Sequence, residues 1–373
     1  MCDNVAAVIL AAGFSSRMGE FKPLLDLAGM TVLERTVGLF RRAGVRDVRV
    51  VTGHRAEELA PLLEQLGVRE VRNPRYQDGM FASVKAGVAT IGEDTDAFFV
   101  HPVDLPLVRP ATVTKLIEAF DRQEAGIVYP VFNELRGHPT LIAGWLAPEI
   151  LQWGGSGGVR GVLVQWERIA HETEVADEQV LRDMDTPEDY RSLRERAKRS
   201  HIPSEAECRV LLDDLFRVEP HIVRHGKAVA EVAVRLGEEL NRAGCRLDMP
   251  LLAAAGLLHD LARKEPNHAQ TGARYLREMG FDAVAELVAT HMDISVSEGE
   301  PIGAAEVIYL ADKVVQGERR VPITERFSAT MERHAHDPAA RGRIASRLSA
   351  ALHVQNRLES VLRCSLMEVI NTL

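Results

Sequence analysis

The sequence predicts two folds in one chain: a doubly wound α/β domain in the first half and an all-helical domain in the second. Three observations carry this. Between Val5 and Arg72 short apolar runs alternate with amphipathic stretches of about ten residues, the pattern of strands joined by crossover helices. Beyond about residue 208 the apolar spacing is helical, with no strand-like run between helices. The length, 373 residues, exceeds what one ordinary core organises. With 46% apolar and 27% charged residues the composition is that of a soluble globular protein. A formal charge of −9 argues against nucleic acid or an anionic membrane as partner. No apolar run is long enough to span a bilayer, and the amino-terminal apolar run reads as a strand, not a cleavable leader. Cys2, Cys208, Cys245 and Cys364 are scattered without a C-x-x-C pair, so no disulfide framework is indicated and a reducing cytoplasm is expected.

Val5 to Leu10 is the first expected strand, buried and parallel. It opens into a loop of small residues, Ala11, Ala12 and Gly13, where backbone amides can turn toward one point. Arg17 and Lys22 add two positive charges to that concavity, a combination suited to a triphosphate. Helices follow at Thr31–Ala43 and Ala56–Leu66, and strands at Val48–Val51 and Val68–Arg72. Gly79 and Ser83 lie at the start of another helix. Ala97 to Leu107 reads as a buried strand leading into Asp104, and a carboxylate at a strand's carboxyl end faces the ligand crevice and can hold Mg²⁺. Ile127–Phe132 is a further strand, followed by Gly137-His138-Pro139, and the glycine-rich stretch 154–158 precedes a helix over Val159–Gln165. Thr186 is placed to cap a helix with Pro187 at its first position, and Asp183 and Asp185, two apart on extended chain, point the same way. The α/β domain is expected over 1–199, a linker over 200–207, and the helical domain over 208–373.

In the helical half, polar residues recur on apolar helices. His225 sits in an amphipathic helix, His259-Asp260 in the strongly apolar Leu251–Leu261, and His268, His291 and Asp312 follow. Imidazoles and carboxylates there are costly without partners, and a shared metal supplies one. The closing segment, from about Arg326 to Leu373, reads as packing helices without recognisable chemistry.

Two resemblances sharpen this reading. Residues 10–22, L-A-A-G-x-S-x-R-M-G-x-x-K, resemble the signature of the molybdenum cofactor nucleotidyltransferases, and the Ala-Ala-Gly form is similar to the cytidylyltransferase branch. Val103 to Leu107 resembles that family's magnesium-binding V-D-x-P-L motif, 183–189 its D-x-D-T-P-E-D segment, and 137–139 its G-H-P segment near the acceptor pocket. The resemblance implies a Rossmann-like nucleotidyltransferase moving CMP from CTP to a molybdopterin-type cofactor, with a molybdoenzyme or chaperone as further partner. It implies nucleotide contacts from Leu10, Ala11, Ala12, Gly13, Arg17, Lys22, Gly79, Ser83 and Asp104, with Arg17, Lys22 and Asp104 catalytic, Mg²⁺ on Asp104 and Asp185, and acceptor contact from His138. GTP, or a sugar phosphate as acceptor, is the alternative. The order His225, His259-Asp260, His268, His291, Asp312 resembles the HD-domain metal-dependent phosphohydrolases and implies an all-α fold binding a divalent transition metal such as Fe or Mn. Met292 stands where many two-metal members carry a second histidine, leaving one metal or two open. A regulatory, non-catalytic role is the alternative for this half.

Overall fold

The computed structural model describes residues 4–123, 125–294 and 299–371. Its strands are β1 (Val5–Leu10), β2 (Asp47–Thr52), β3 (Arg69–Arg72), β4 (Ala97–Pro102), β5 (Ile127–Phe132), β6 (Leu135–Arg136), β7 (Thr140–Ala143) and β8 (Ala170–Glu174), with a small hairpin of β9 (Val315–Gln316) and β10 (Arg319–Arg320). The first eight form one sheet in the order β3-β2-β1-β4-β7-β5-β6, with β8 beside β5. Every residue of β1 is buried, as a strand covered on both faces must be. It lies between β2 and β4, parallel to both.

The winding changes past β4. There β7 runs antiparallel to both β4 and β5, so the sheet is mixed and not parallel throughout. Sequence pattern foresaw β5 but not β6, β7 or β8, because β6 and β7 are short and β8 (Ala-His-Glu-Thr-Glu) is too polar to look like a core strand. Helices α1 (Val32–Arg42), α2 (Ala56–Leu66), α3 (Met80–Val88), α4 (Pro110–Gln123), α5 (Ala147–Gln152), α6 (Gly158–Leu163) and α7 (Pro187–Lys198) complete this unit. Reciprocal capping boxes start α1 at Thr31 and α7 at Thr186. The expected helix over Val159–Gln165 ends early, and a 3₁₀ turn takes over at Val164.

The chain divides into two compact units, Met1–Ser200 and His201–Leu373. The stretch read as a linker contains Ser204, whose side chain caps α8 (Glu205–Val210). Then follow α9 (Pro220–Arg242), α10 (Met249–Leu258), α11 (His268–Glu278), α12 (Asp282–Thr290), α13 (Ala304–Lys313), α14 (Ile323–Arg333), α15 (Pro338–Leu362) and α16 (Leu366–Ile370). Helices α9 and α10 meet at glycines. A Cβ on Gly256 would lie 2.5 Å from Ala230 Cα, and one on Gly226 2.7 Å from the Leu257 carbonyl. That close approach holds His225 and His259 together, with ring centroids 5.2 Å apart. Helix α10 ends one turn earlier than the sequence pattern suggested, so His259-Asp260 falls just past its end.

Candidate functional site

In the N-terminal unit the loop leaves the carboxyl end of β1 between its two parallel neighbours. The Ala11 amide donates to the Val51 carbonyl (2.9 Å) and the Val103 amide to that of Leu10 (3.1 Å). A cavity of about 230 Å³ opens there, lined by Leu10, Ala11, Ala12, Gly13, Lys22, Gly79, Ser83 and Asp104 among others. Residues far apart in sequence thus share one wall. Asp104 sits two residues beyond β4 and is held by the Met184 amide, which donates to its carbonyl (3.0 Å). The buried Lys22 ammonium donates to Asp185 Oδ1 (2.7 Å) and Asp104 Oδ2 (3.2 Å), and Arg17 pairs with Asp185 from the solvent side. Arg17, Asp185 and His138 lie outside the cavity lining.

The charges around Lys22 are unbalanced toward the negative. Burial, then the neighbouring charges of Asp185 and Asp104, push the Asp183 carboxyl above its usual range. His138 is held by its backbone amide, which donates to Val180 O (2.9 Å), and its buried Nδ1 makes no hydrogen bond among the described residues. Burial lowers its pKa, opposed by the charge of Asp104. One feature escaped the sequence pattern: Phe14 packs on His54 and Tyr76, with centroids 5.1 and 5.3 Å away, and Phe14 and Tyr76 face the cavity. Tyr76 comes from the turn after β3, and nothing in its spacing marks it.

In the C-terminal unit the six sequence-selected residues converge. His225 Nδ1 donates to Gly317 O (2.8 Å), His259 Nδ1 to Gly256 O (2.8 Å) and His291 Nδ1 to Val288 O (2.7 Å). Each bond fixes the tautomer whose Nε2 lone pair points inward. Asp312 Oδ1 lies 3.3 Å from His225 Nε2 and 3.8 Å from His259 Nε2. Asp260 Oδ1 lies 3.2 Å from His268 Nε2 and 3.6 Å from His291 Nε2. Two three-residue groups therefore share Asp260: His225, His259, Asp260 and Asp260, His268, His291, each with its ligand atoms within 4.8 Å. Burial pushes the His259 imidazole down to about 4, so it is neutral near pH 7. Burial works against the ionised Asp312, but Lys313 and Arg326 keep its carboxyl well below the usual range.

Residues 7–171 match the MobA-like NTP transferase domain, and residues 222–316 match the HD domain. The chain joins a MobA-like NTP transferase domain to an HD domain. Over 193 residues, 52% of this chain and 96% of the relative, it is 28% identical to the molybdenum cofactor cytidylyltransferase of Escherichia coli (strain K12). It is 40% identical over 121 residues to a bifunctional IPC transferase and DIPP synthase of Rubrobacter xylanophilus, covering 31% of this chain but only 27% of that one. Among solved structures, a nucleotidyl transferase from Methanothermobacter thermautotroptrophicus is 28% identical, with 53% of this chain and 99% of that one covered and a TM-score of 0.47.

The donor sets suit metals of different kinds. In the transferase domain the candidates are carboxylate oxygens, which a hard cation prefers, and a divalent ion there would offset the mutual repulsion of Asp104, Asp183 and Asp185. In the HD domain His259 Nε2 and His291 Nε2 are buried and make no hydrogen bond among the described residues. Such orphaned acceptors are expensive unless an ion takes their lone pairs. Mixed N/O ligation is that of Fe, Mn and similar ions. Met292 lines the adjoining cavity and adds no ligand to either group. The closing helices, read as chemically silent, instead bring Arg326, Arg333 and Arg347 to that cavity.

Proposed function

We propose that the transferase domain moves CMP from CTP to the phosphate of a molybdopterin-type cofactor, and that the HD domain hydrolyses a phosphoester. The observation carrying the first reading is that one buried ammonium, Lys22, reaches both Asp104 and Asp185 beside the loop cavity. An oxygen of the acceptor phosphate attacks the α-phosphorus of CTP, and pyrophosphate leaves with the bridging oxygen. The acceptor is largely ionised already, its second pKa being about 6, so no protein base is needed. Lys22, Arg17 and the loop amides balance charge developing on the leaving group, and the Leu10–Gly13 wall with Gly79 and Ser83 holds base and ribose. Mg²⁺, held by Asp104 and Asp185, would neutralise charge on the α- and β-phosphates.

Ala-Ala-Gly at 11–13 and the similarity to a cytidylyltransferase over nearly its whole length support CTP. In the HD domain, His225, His259, Asp260 and Asp312 would hold one ion, and Asp260, His268 and His291 a second, supplying an ionised water as nucleophile. Both halves fit a reducing cytoplasm. The deciding assay is pyrophosphate release from each NTP, with and without the molybdopterin cofactor. Release that depends on the cofactor and is fastest with CTP is expected. Equal or faster release with GTP overturns the cytidylyl reading, and release with a sugar phosphate in place of the cofactor overturns the acceptor.

A further inference from the structure

The cavity over the HD residues measures about 710 Å³, far more than one phosphate group needs and within the roughly 300–1,000 Å³ of small-molecule sites. Its charge is unusual for a cation-binding centre. Arg326 uses one nitrogen on the carbonyls of Asp312 and Val315, and another donates to Asp312 Oδ1 (3.1 Å), the oxygen that faces His225 and His259. On the other side, Arg263 Nη1 stands 3.4 Å from Asp260 Oδ1 and 3.2 Å from His268 Nε2. Each carboxylate placed to hold a metal is thus flanked by a guanidinium that also lines the cavity. Cations so close to a divalent ion repel it, unless the occupant carries enough negative charge to bind both.

A second pair stands on helices after the HD match, which ends at residue 316. Arg333, from α14, is exposed and among the described residues bonds only to Ala329 and Thr330 of its own helix. Arg347, from α15, makes a two-pronged pair with Asp293, both bonds 2.7 Å. Phe327 and Ile344, on the same helices, give the cavity an apolar stretch of wall.

We propose that α14 and α15 make this a two-anion site: Arg263 and Arg326 take the phosphoryl group at the metal residues, and Arg333 with Arg347 takes a second phosphate across an apolar spacer. The ligand class is then a nucleotide-sized bisphosphate, not a simple phosphomonoester. This rests on the metal-site reading of the HD domain but not on turnover.

The test is calorimetric titration of the full-length, manganese-loaded protein with inorganic phosphate, adenosine 5′-monophosphate and adenosine 3′,5′-bisphosphate, beside elemental analysis. The bisphosphate is expected to bind at least tenfold more tightly than the monophosphate. Arg333→Ala should erase that advantage without weakening inorganic phosphate. Arg326→Ala should weaken all three probes about tenfold with manganese content intact, and Arg326→Lys should restore part of the loss. Equal binding of mono- and bisphosphate, or an unchanged preference in Arg333→Ala, overturns the second subsite. Loss of manganese in Arg326→Ala shows that Arg326 only positions Asp312 and overturns the first. A bisphosphate preference in a protein that turns over no phosphoester supports the site and removes only the hydrolase.

Discussion

Lys22 is buried and poised between Asp104 and Asp185, and the proposed transfer turns on that one side chain. Asp104→Asn preserves shape and removes the charge a hard cation needs. Transfer should fall by at least 10²-fold, the scale of losing one preorganised electrostatic partner, with an unchanged circular dichroism spectrum. Wild-type rates at limiting Mg²⁺ would place the metal elsewhere. His101 offers a pH test. It is fully buried beneath that strand end, donates from Nε2 to Leu105 O (3.1 Å), and burial pushes it from 6.5 down to about 3. A depressed imidazole binds its proton more readily when unfolded. Its contribution is therefore complete above about pH 6.5 and declines as pH falls toward 3. His101→Gln should narrow the stability difference between pH 7 and pH 4.5 relative to wild type in denaturant titrations. An unchanged difference would show that His101 is not the sensor.

The packing of α9 on α10 sets the HD geometry at the scale of elements. Gly256 lies against the Ala230 backbone, three residues before His259, and its carbonyl accepts the bond that fixes that histidine's tautomer. Gly256→Ala must push backbone against backbone, and overpacking of this kind costs about 1–3 kcal/mol. It should lower the melting temperature of the helical unit and reduce bound metal together. Full metal occupancy in a destabilised variant would mean that the crossing and the ligand set are independent. The capping box that starts α1 is a milder case. Thr31→Ala should cost about 1 kcal/mol, because the Glu34 amide loses its side-chain acceptor, and leave the loop cavity unchanged.

Two compact units with separate cores should respond separately. Stripping metal with a chelator should lower the transition of the HD unit, since an ion at a hundredfold its dissociation constant contributes about 2.7 kcal/mol to the native state. With excess Mg²⁺ restored after the chelator is removed, the transition of the transferase unit should return to its original position while that of the HD unit stays lowered. His259→Ala should reproduce the chelator effect without any chelator, because the remaining groups cannot close the shell. Absence of any bound ion under loading conditions, with no stability cost for His259→Ala, would make His259 a core histidine.

The contiguous features were legible in the residues alone. The loop from Leu10 to Lys22, the Thr186-Pro187 helix start and the histidines on apolar helices announce themselves, because strand and helix periods and caps are local properties of the chain. What the sequence left open is what distant segments do to one another. The antiparallel insertion of β7 between β4 and β5 is a choice of pairing, and a four-residue strand carries too little pattern to declare it. Phe14, His54 and Tyr76 come from three separate loops, and their stacking exists only once the sheet is formed. Arg326 had no visible role in sequence, because its meaning lies in the 3.1 Å that separates it from Asp312 Oδ1. Local chemistry is written residue by residue, but the sign of the charge around a site is a sum over elements that only the fold brings together.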